Sequence, residues 1–269
     1  MTTNSNTYIH FSIDDVYLWL REINSQAEVY SSIFDHPRLA CLKSYHDRYG
    51  AVVTFNCFYT DEPATWNLSE MTTRFKEEFA ANANWLRLAF HANTRRDNYN
   101  DSPEAEARSH YQNAMEAFRT FAADENIDTI GRTHYFSGNK ANAKVWRDSS
   151  PGARGFLTSD DSRKVDMYLD ETQREVLKQE SAYYDEKEDL YFLKTMPRLE
   201  SWADPVADLS AWAADPAYAG QLHSLILFTH EQCWSPDMEV KIDRVFAWAA
   251  ANGYEFAFPM DRIRERSNS

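Results

Sequence analysis

Two adjacent carboxylates, Asp14 and Asp15, close a stretch that reads Tyr8-Ile-His-Phe-Ser-Ile-Asp-Asp-Val16. Burying one ionised carboxylate without a partner is costly and two side by side repel, so a strand ending on such a pair either faces water or holds a cation. Alone, the pair fits a solvated strand end. Other ionisable residues fall at comparable places: His91 ends the run from Trp85, Arg132 and His134 follow Ile127 to Ile130, Asp160 and Asp161 stop the run from Gly155, and His230-Glu231 end the run from Leu222. Each residue alone has a plain structural reading, a hydrogen-bonded histidine or an arginine paired with an acid. Together they suit a divalent cation of the zinc type, which takes neutral imidazole and carboxylate oxygen and keeps a position open for water. One carboxylate can then bind the cation, the other can accept a proton from water, and a histidine can protonate a leaving group.

The elements that must position these groups alternate along the chain. Ile9, Phe11 and Ile13 alternate with His10 and Ser12, as in a half-buried strand. Leu39, Leu42, Tyr45 and Tyr49 have helical spacing, with Gly50 at the C-terminal cap. Ala51 to Tyr59 is a continuous apolar run of the kind that forms a parallel strand covered on both faces. A helix from Leu68 to Asn84 starting at Ser69 and a strand from Trp85 to His91 follow. The next helix has Ser102 as its N-cap and Pro103 at its first position. The acid-rich stretch from Asp170 to Leu193 reads as a solvated helix or an insertion, and Trp202 to Tyr218 as a helical cover. A strand from Leu222 to Glu231, a helix from Ser235-Pro236 to Gly253 and a strand from Tyr254 to Phe258 complete the chain. This order predicts an α/β fold, a distorted (β/α) barrel of about seven strands, formed as a single domain over residues 1–269. In such a barrel the C-terminal strand ends converge on one face, where active sites are built. A doubly wound open sheet is the alternative, but the 7 glycines include no phosphate-binding loop.

Composition narrows the function classes. The chain is 43% hydrophobic and rich in aromatic residues, as a folded protein is. A net charge of -14 argues against a nucleic-acid partner, which needs a basic face. No stretch approaches the roughly 20 apolar residues of a membrane span, and the polar N-terminus lacks a signal-peptide pattern, so a cytoplasmic location is expected. Cys41, Cys57 and Cys233 are odd in number and widely separated, and are read as reduced and structural.

The order of motifs resembles the polysaccharide deacetylase family, the NodB-homology or carbohydrate esterase family 4 domain. That family's Thr-Phe-Asp-Asp-Gly motif resembles Ser12-Ile13-Asp14-Asp15-Val16, and its Gly-x-x-x-Thr-Phe-Phe strand resembles Gly50 to Asn56. Its histidine motif is similar to Phe90-His91-Ala92-Asn93, its Arg-Pro-Pro-Tyr-Gly motif to Arg132-Thr133-His134-Tyr135-Phe136, and its Leu-Leu-x-His motif to Ile226 through His230. The resemblance implies a distorted barrel and the metal-dependent hydrolysis of an acetyl group on an amino sugar or related small amide. It implies Asp14 as general base, Asp15 and His91 as ligands of a divalent metal such as zinc, Arg132 as the group orienting the base and keeping it ionised, and His230 as general acid. The chain departs from the family four residues after His91, where Arg95 stands in place of the second metal histidine and cannot ligate. The third ligand is then supplied elsewhere, with His134 the first candidate, or is missing. Asp160, Glu231 and Trp234 are expected to contact a carbohydrate or small-molecule substrate. The rival reading is a catalytically silent barrel that binds a carbohydrate or protein partner through Trp66, Trp85, Trp146 and Trp234.

Overall fold

The computed structural model describes residues 7–61, 63–159, 167–219 and 221–267. β1 (Tyr8–Val16) is followed by α1 (Leu18–Ser25), α2 (Pro37–Tyr49), β2 (Val53–Phe58), α3 (Lys76–Ala81), β3 (Leu86–Ala92), α4 (Glu104–Phe121) and β4 (Ile130–Gly131). Then come α5 (Lys140–Arg147), β5 (Gly155–Leu157), α6 (Glu171–Glu180), β6 (Ala182–Asp185) and β7 (Leu190–Leu193). The chain continues through α7 (Pro205–Ala214), α8 (Pro216–Ala219), β8 (Ser224–His230), α9 (Pro236–Ala251), β9 (Glu255–Phe256) and α10 (Pro259–Ser267). Among the described residues no helix is long and apolar enough to cross a membrane.

The expected α/β barrel fold is present, and among the described residues it has nine strands in two sheets where about seven were expected. One sheet runs β3-β2-β1-β8, all parallel, and β9 pairs the start of β1, where the β2 register has not yet begun. The other runs β4-β5-β7-β6, parallel except for the β6-β7 hairpin. Main-chain bonds join the two. The Asp128 amide donates to the Leu88 carbonyl at 2.8 Å beside β3, and the amides of Met196 and Leu199 donate to Ile226 and Phe228 of β8 at 2.8 and 3.0 Å.

Closure explains why β1 is buried on both faces, where alternation had suggested one. Ile9, Phe11 and Ile13 pack outward against the helices, each worth roughly 2 kcal/mol of burial. The alternate residues line the barrel: Tyr8 joins Ile130, Leu157, Leu193 and Ile226 in an apolar floor, while Ser12 and Asp14 form a polar layer with Arg132. The period-2 pattern was therefore a sorting of apolar and polar partners rather than of protein and water.

Three other expectations change. The acid-rich segment supplies α6 and then β6 and β7. Its four-residue apolar run Leu190–Leu193 is short enough to be masked by the surrounding charge, yet β7 pairs with β5 in the middle of the second sheet. The helix expected from Ser69 is a single turn whose cap is Asn67, with α3 beginning only at Lys76. Ser102 does not cap α4; its hydroxyl donates to the Asn98 carbonyl at 3.1 Å. By contrast α9 begins at Ser235-Pro236 as expected, with Ser235 accepting from the Met238 amide, and Gly50 caps α2 as expected at φ 72°, where a side chain would be strained. The three cysteines are free.

Candidate functional site

In a regular strand Asp14 and Asp15 would point to opposite faces. The β1-β2 register shifts between Ile13 and Val16, and Asp15 takes φ 62°, a left-handed conformation that aspartate tolerates better than most residues. The bulge swings the second carboxylate to the same end of the barrel as the first. A matching irregularity occurs in β3, where Cys57 pairs with Phe90 but Phe58 pairs with Ala92, leaving His91 as the extra residue.

Asp15, His91 and His134 meet. Asp15 Oδ1 lies 3.0 Å from His91 Nε2 and 3.5 Å from His134 Nδ1, and the two ring nitrogens are 3.1 Å apart. Each imidazole is held from behind by a carbonyl: His91 Nδ1 is 2.5 Å from the Arg132 oxygen, and His134 Nε2 is 3.0 Å from the Arg95 oxygen. A carbonyl only accepts, so these nitrogens carry protons, and in the neutral form of each ring the facing nitrogen presents a lone pair. Burial lowers the His134 pKa against the pull of Asp15, which favours its neutral form. Two lone pairs and a carboxylate oxygen then converge with no proton among them, an arrangement that a cation resolves. Ligand atoms about 2 Å from a tetrahedral zinc lie about 3.3 Å apart, and the observed separations bracket that value. The donor set therefore fits a divalent metal. Gln232 completes its surroundings by donating to Asp15 Oδ2 at 2.9 Å.

Asp14 sits beside this centre and is differently engaged. Its Oδ1 accepts from Arg132 Nη1 at 2.9 Å and from Asn56 Nδ2 at 2.8 Å, and no hydrogen bond among the described residues reaches Oδ2. Arg132 is held at both terminal nitrogens and on one face: Nη1 also donates to Ser12 Oγ at 3.0 Å, Nη2 donates to Thr195 Oγ1 at 3.2 Å, and Cζ lies 3.9 Å over the Phe228 ring. Gly131 makes this possible, because a Cβ there would come within 2.8 Å of Ala89 Cβ and push β4 off β3.

His230 is the ladder partner of Asp14 across β1 and β8, which sets them side by side. Its Nδ1 hydrogen-bonds Glu200, whose other oxygen accepts from Thr229 Oγ1 at 2.9 Å. Burial opposes a charge on His230, but the Glu200 bond and the charges of Asp14 and Asp15 outweigh it and raise the pKa. Burial would raise Glu200, yet the same pairing holds it below the usual carboxylate range. An acceptor carboxylate and a donor imidazole thus flank one end of the barrel.

A pocket of about 410 Å³ opens beside Asp15, lined among others by Tyr17, Leu18, Phe58, Arg95, Glu231 and Gln232. Glu231 borders it, but both its oxygens are taken: Oε1 accepts from the Tyr17 and Trp19 amides at 3.2 and 2.7 Å, and Oε2 from Leu18 at 2.9 Å. Burial pushes this carboxyl up to about 7, with the three amides pulling the other way. Trp234 is turned into the core, edge-on to Trp19 at 5.1 Å. Asp160 lies outside the described residues. Sequence reasoning missed Asn56, Thr195, Glu200 and Gln232. Only Asn56 left a signal, an amide inside an otherwise apolar run.

Neither a protein-family model nor a curated protein matches the sequence. Solved structures do match in shape. A Mycobacterium smegmatis protein assigned to the polysaccharide deacetylases superposes with a TM-score of 0.58 at 12% identity, over 100% of this chain and 93% of that one. The chain has the polysaccharide deacetylase fold. A Pseudomonas aeruginosa PAO1 protein of the same assignment matches at TM-score 0.58 and 12% identity, over 96% of this chain and 90% of that one. A family 4 acetyl xylan esterase from Clostridium thermocellum, solved with a cobalt ion, matches at 0.51 and 10%, over 97% and 92%. At these identities the chain is a divergent member of the fold, and its site must be argued from its own residues.

Proposed function

We propose that this chain, as one domain over residues 1–269, is a metal-dependent hydrolase that removes an acetyl or other acyl group from an amino sugar or related small amide. The observation that carries the reading is the convergence of Asp15, His91 and His134 with their lone pairs facing inward, 3.0 to 3.5 Å apart. A divalent metal held there, zinc by the chemistry of its donors, supplies Lewis acidity toward a carbonyl oxygen and toward water. Asp14 Oδ2 accepts the proton of the attacking water, while Arg132 and Asn56 hold Oδ1 and so fix the direction of approach. His230 delivers a proton to the departing amine or alcohol, and Glu200 orients its ring and favours the protonated form. The pocket beside Asp15 is large enough for a sugar ring with its acyl group. The solved relatives support the substrate class, being named as polysaccharide deacetylases and as an acetyl xylan esterase.

The silent-barrel reading gains nothing from Trp66, Trp85, Trp146 and Trp234, which are all at least nine-tenths buried and serve the core. Two measurements test the proposal. Elemental analysis of protein purified without chelator should find stoichiometric metal that is lost in Asp15→Ala. Acetate release from N-acetylated sugars should fall by about 100-fold or more in Asp14→Ala. Equal rates for wild type and variant would remove Asp14 from the role of base.

A further inference from the structure

A second group of donors lies behind the acid. Glu200 is on the connection after β7, His230 ends β8, and Cys233 follows three residues later. One ligand atom from each lies within 4.8 Å of the other two. Glu200 and His230 keep 18% and 19% of their side chains exposed, and Cys233 is a free, half-buried thiol, so an ion reaches all three without unfolding. We propose that Glu200, His230 and Cys233 form a second cation site, selective for zinc-type ions, whose occupation blocks the acid function of His230. Three arguments support it.

The first is donor chemistry. A thiolate, an imidazole and a carboxylate together suit a borderline-soft ion, whereas magnesium and calcium prefer an all-oxygen set. The second is geometry. Tetrahedral zinc needs donor atoms roughly 3.3 to 3.8 Å apart, so small rotations of Cys233 and Glu200 close the cluster around an ion. The third is competition within His230. Its Nδ1 is now bonded to Glu200, and an ion that binds Nδ1, Glu200 oxygen and Cys233 sulfur replaces that bond. The Nδ1 and thiol protons pass to solvent, and His230 is left as a neutral, ion-bound imidazole whose remaining N–H is a far weaker acid than the imidazolium that must deliver a proton to substrate. Only the inhibitory consequence rests on the hydrolase reading; the binding itself does not.

Sulfur separates this site from the Asp15, His91 and His134 centre, which has none. Titrating the wild-type protein with cobalt(II) should produce a near-ultraviolet thiolate-to-cobalt charge-transfer band. Cys233→Ser should abolish the band, while Cys41→Ser and His134→Ala should keep it. Excess zinc should slow acetate release by wild type, and Cys233→Ser should weaken that inhibition by about tenfold or more. A wild-type protein without the band, or a band that survives Cys233→Ser, would overturn the second site. If no form releases acetate, the hydrolase reading fails while the cobalt spectra still decide the binding.

Discussion

Glu231 ties the end of β8 to the start of α1, three residues after the strained turn at Asp15. In Glu231→Ala, the Tyr17, Leu18 and Trp19 amides lose their acceptor. A buried donor left unsatisfied costs about 1 to 3 kcal/mol, and two of these amides belong to buried residues, which gives roughly 2 to 6 kcal/mol. The neighbouring pocket admits water to the vacated space, so the lower end applies, about 2 to 3 kcal/mol. The consequence for the site follows from chain continuity. Asp15 holds φ 62° because the chain on either side is fixed, by the β1-β8 ladder before it and by this carboxylate after it. Released on one side, the turn relaxes and metal affinity falls by about tenfold. Urea unfolding of metal-free protein measures the first effect, and competition against a chromophoric chelator measures the second. Glu231→Gln, which keeps one oxygen acceptor, should lie between. Unchanged metal affinity in a Glu231→Ala protein that shows the stability loss would refute the link between this carboxylate and Asp15.

His134→Ala should lose stoichiometric metal, as read by elemental analysis, because it removes one of three converging lone pairs. Glu200→Gln removes the main group that raises the His230 pKa, and the acid must be protonated, so the high-pH fall of the rate profile should move to lower pH. His10, fully buried, has its pKa lowered from 6.5 to about 3, chiefly by burial and then by the charges of Arg132 and Arg87. A histidine depressed in the folded state contributes stability that is full above 6.5 and is lost as pH falls toward 3, roughly 3 kcal/mol by about pH 4. His10→Leu should therefore flatten the acid limb of urea midpoint against pH, and an unchanged limb would exclude His10 as its source.

The strand ends were legible because a parallel barrel needs apolar runs, and each such run stops where the chain meets solvent. The proposed division of labour between Asp14 and Asp15 came only from a motif resemblance, whereas the structure shows how the two carboxylates come to be engaged differently. The physical cause of that difference is a bulge and one left-handed residue, and a two-residue sequence carries no mark of either. Glu200 was invisible for a different reason. It lies in a connection without periodicity, and its meaning comes from β8, thirty positions away in sequence. Gln232 was likewise set by tertiary packing alone. The hairpin of β6 and β7 was hidden because four apolar residues are too few to show a period amid a run of charge.

Arg95 posed the sharpest difficulty in the sequence, since it occupies the position of a metal-binding histidine and cannot ligate. In the proposed site His134 takes that place, from the turn after β4, where Tyr135 and Phe136 both take φ 55° and set its ring beside Asp15 and His91. Position 95 still touches His134, but through its backbone: its carbonyl receives the His134 Nε2 proton and so turns Nδ1 toward Asp15 and His91. A main-chain bond of this kind does not depend on the side chain. Arg95→Ala should accordingly keep metal affinity within a few-fold of wild type, whereas a loss of about 100-fold, as for a broken orienting contact, would show that the guanidinium and not the carbonyl sustains the site.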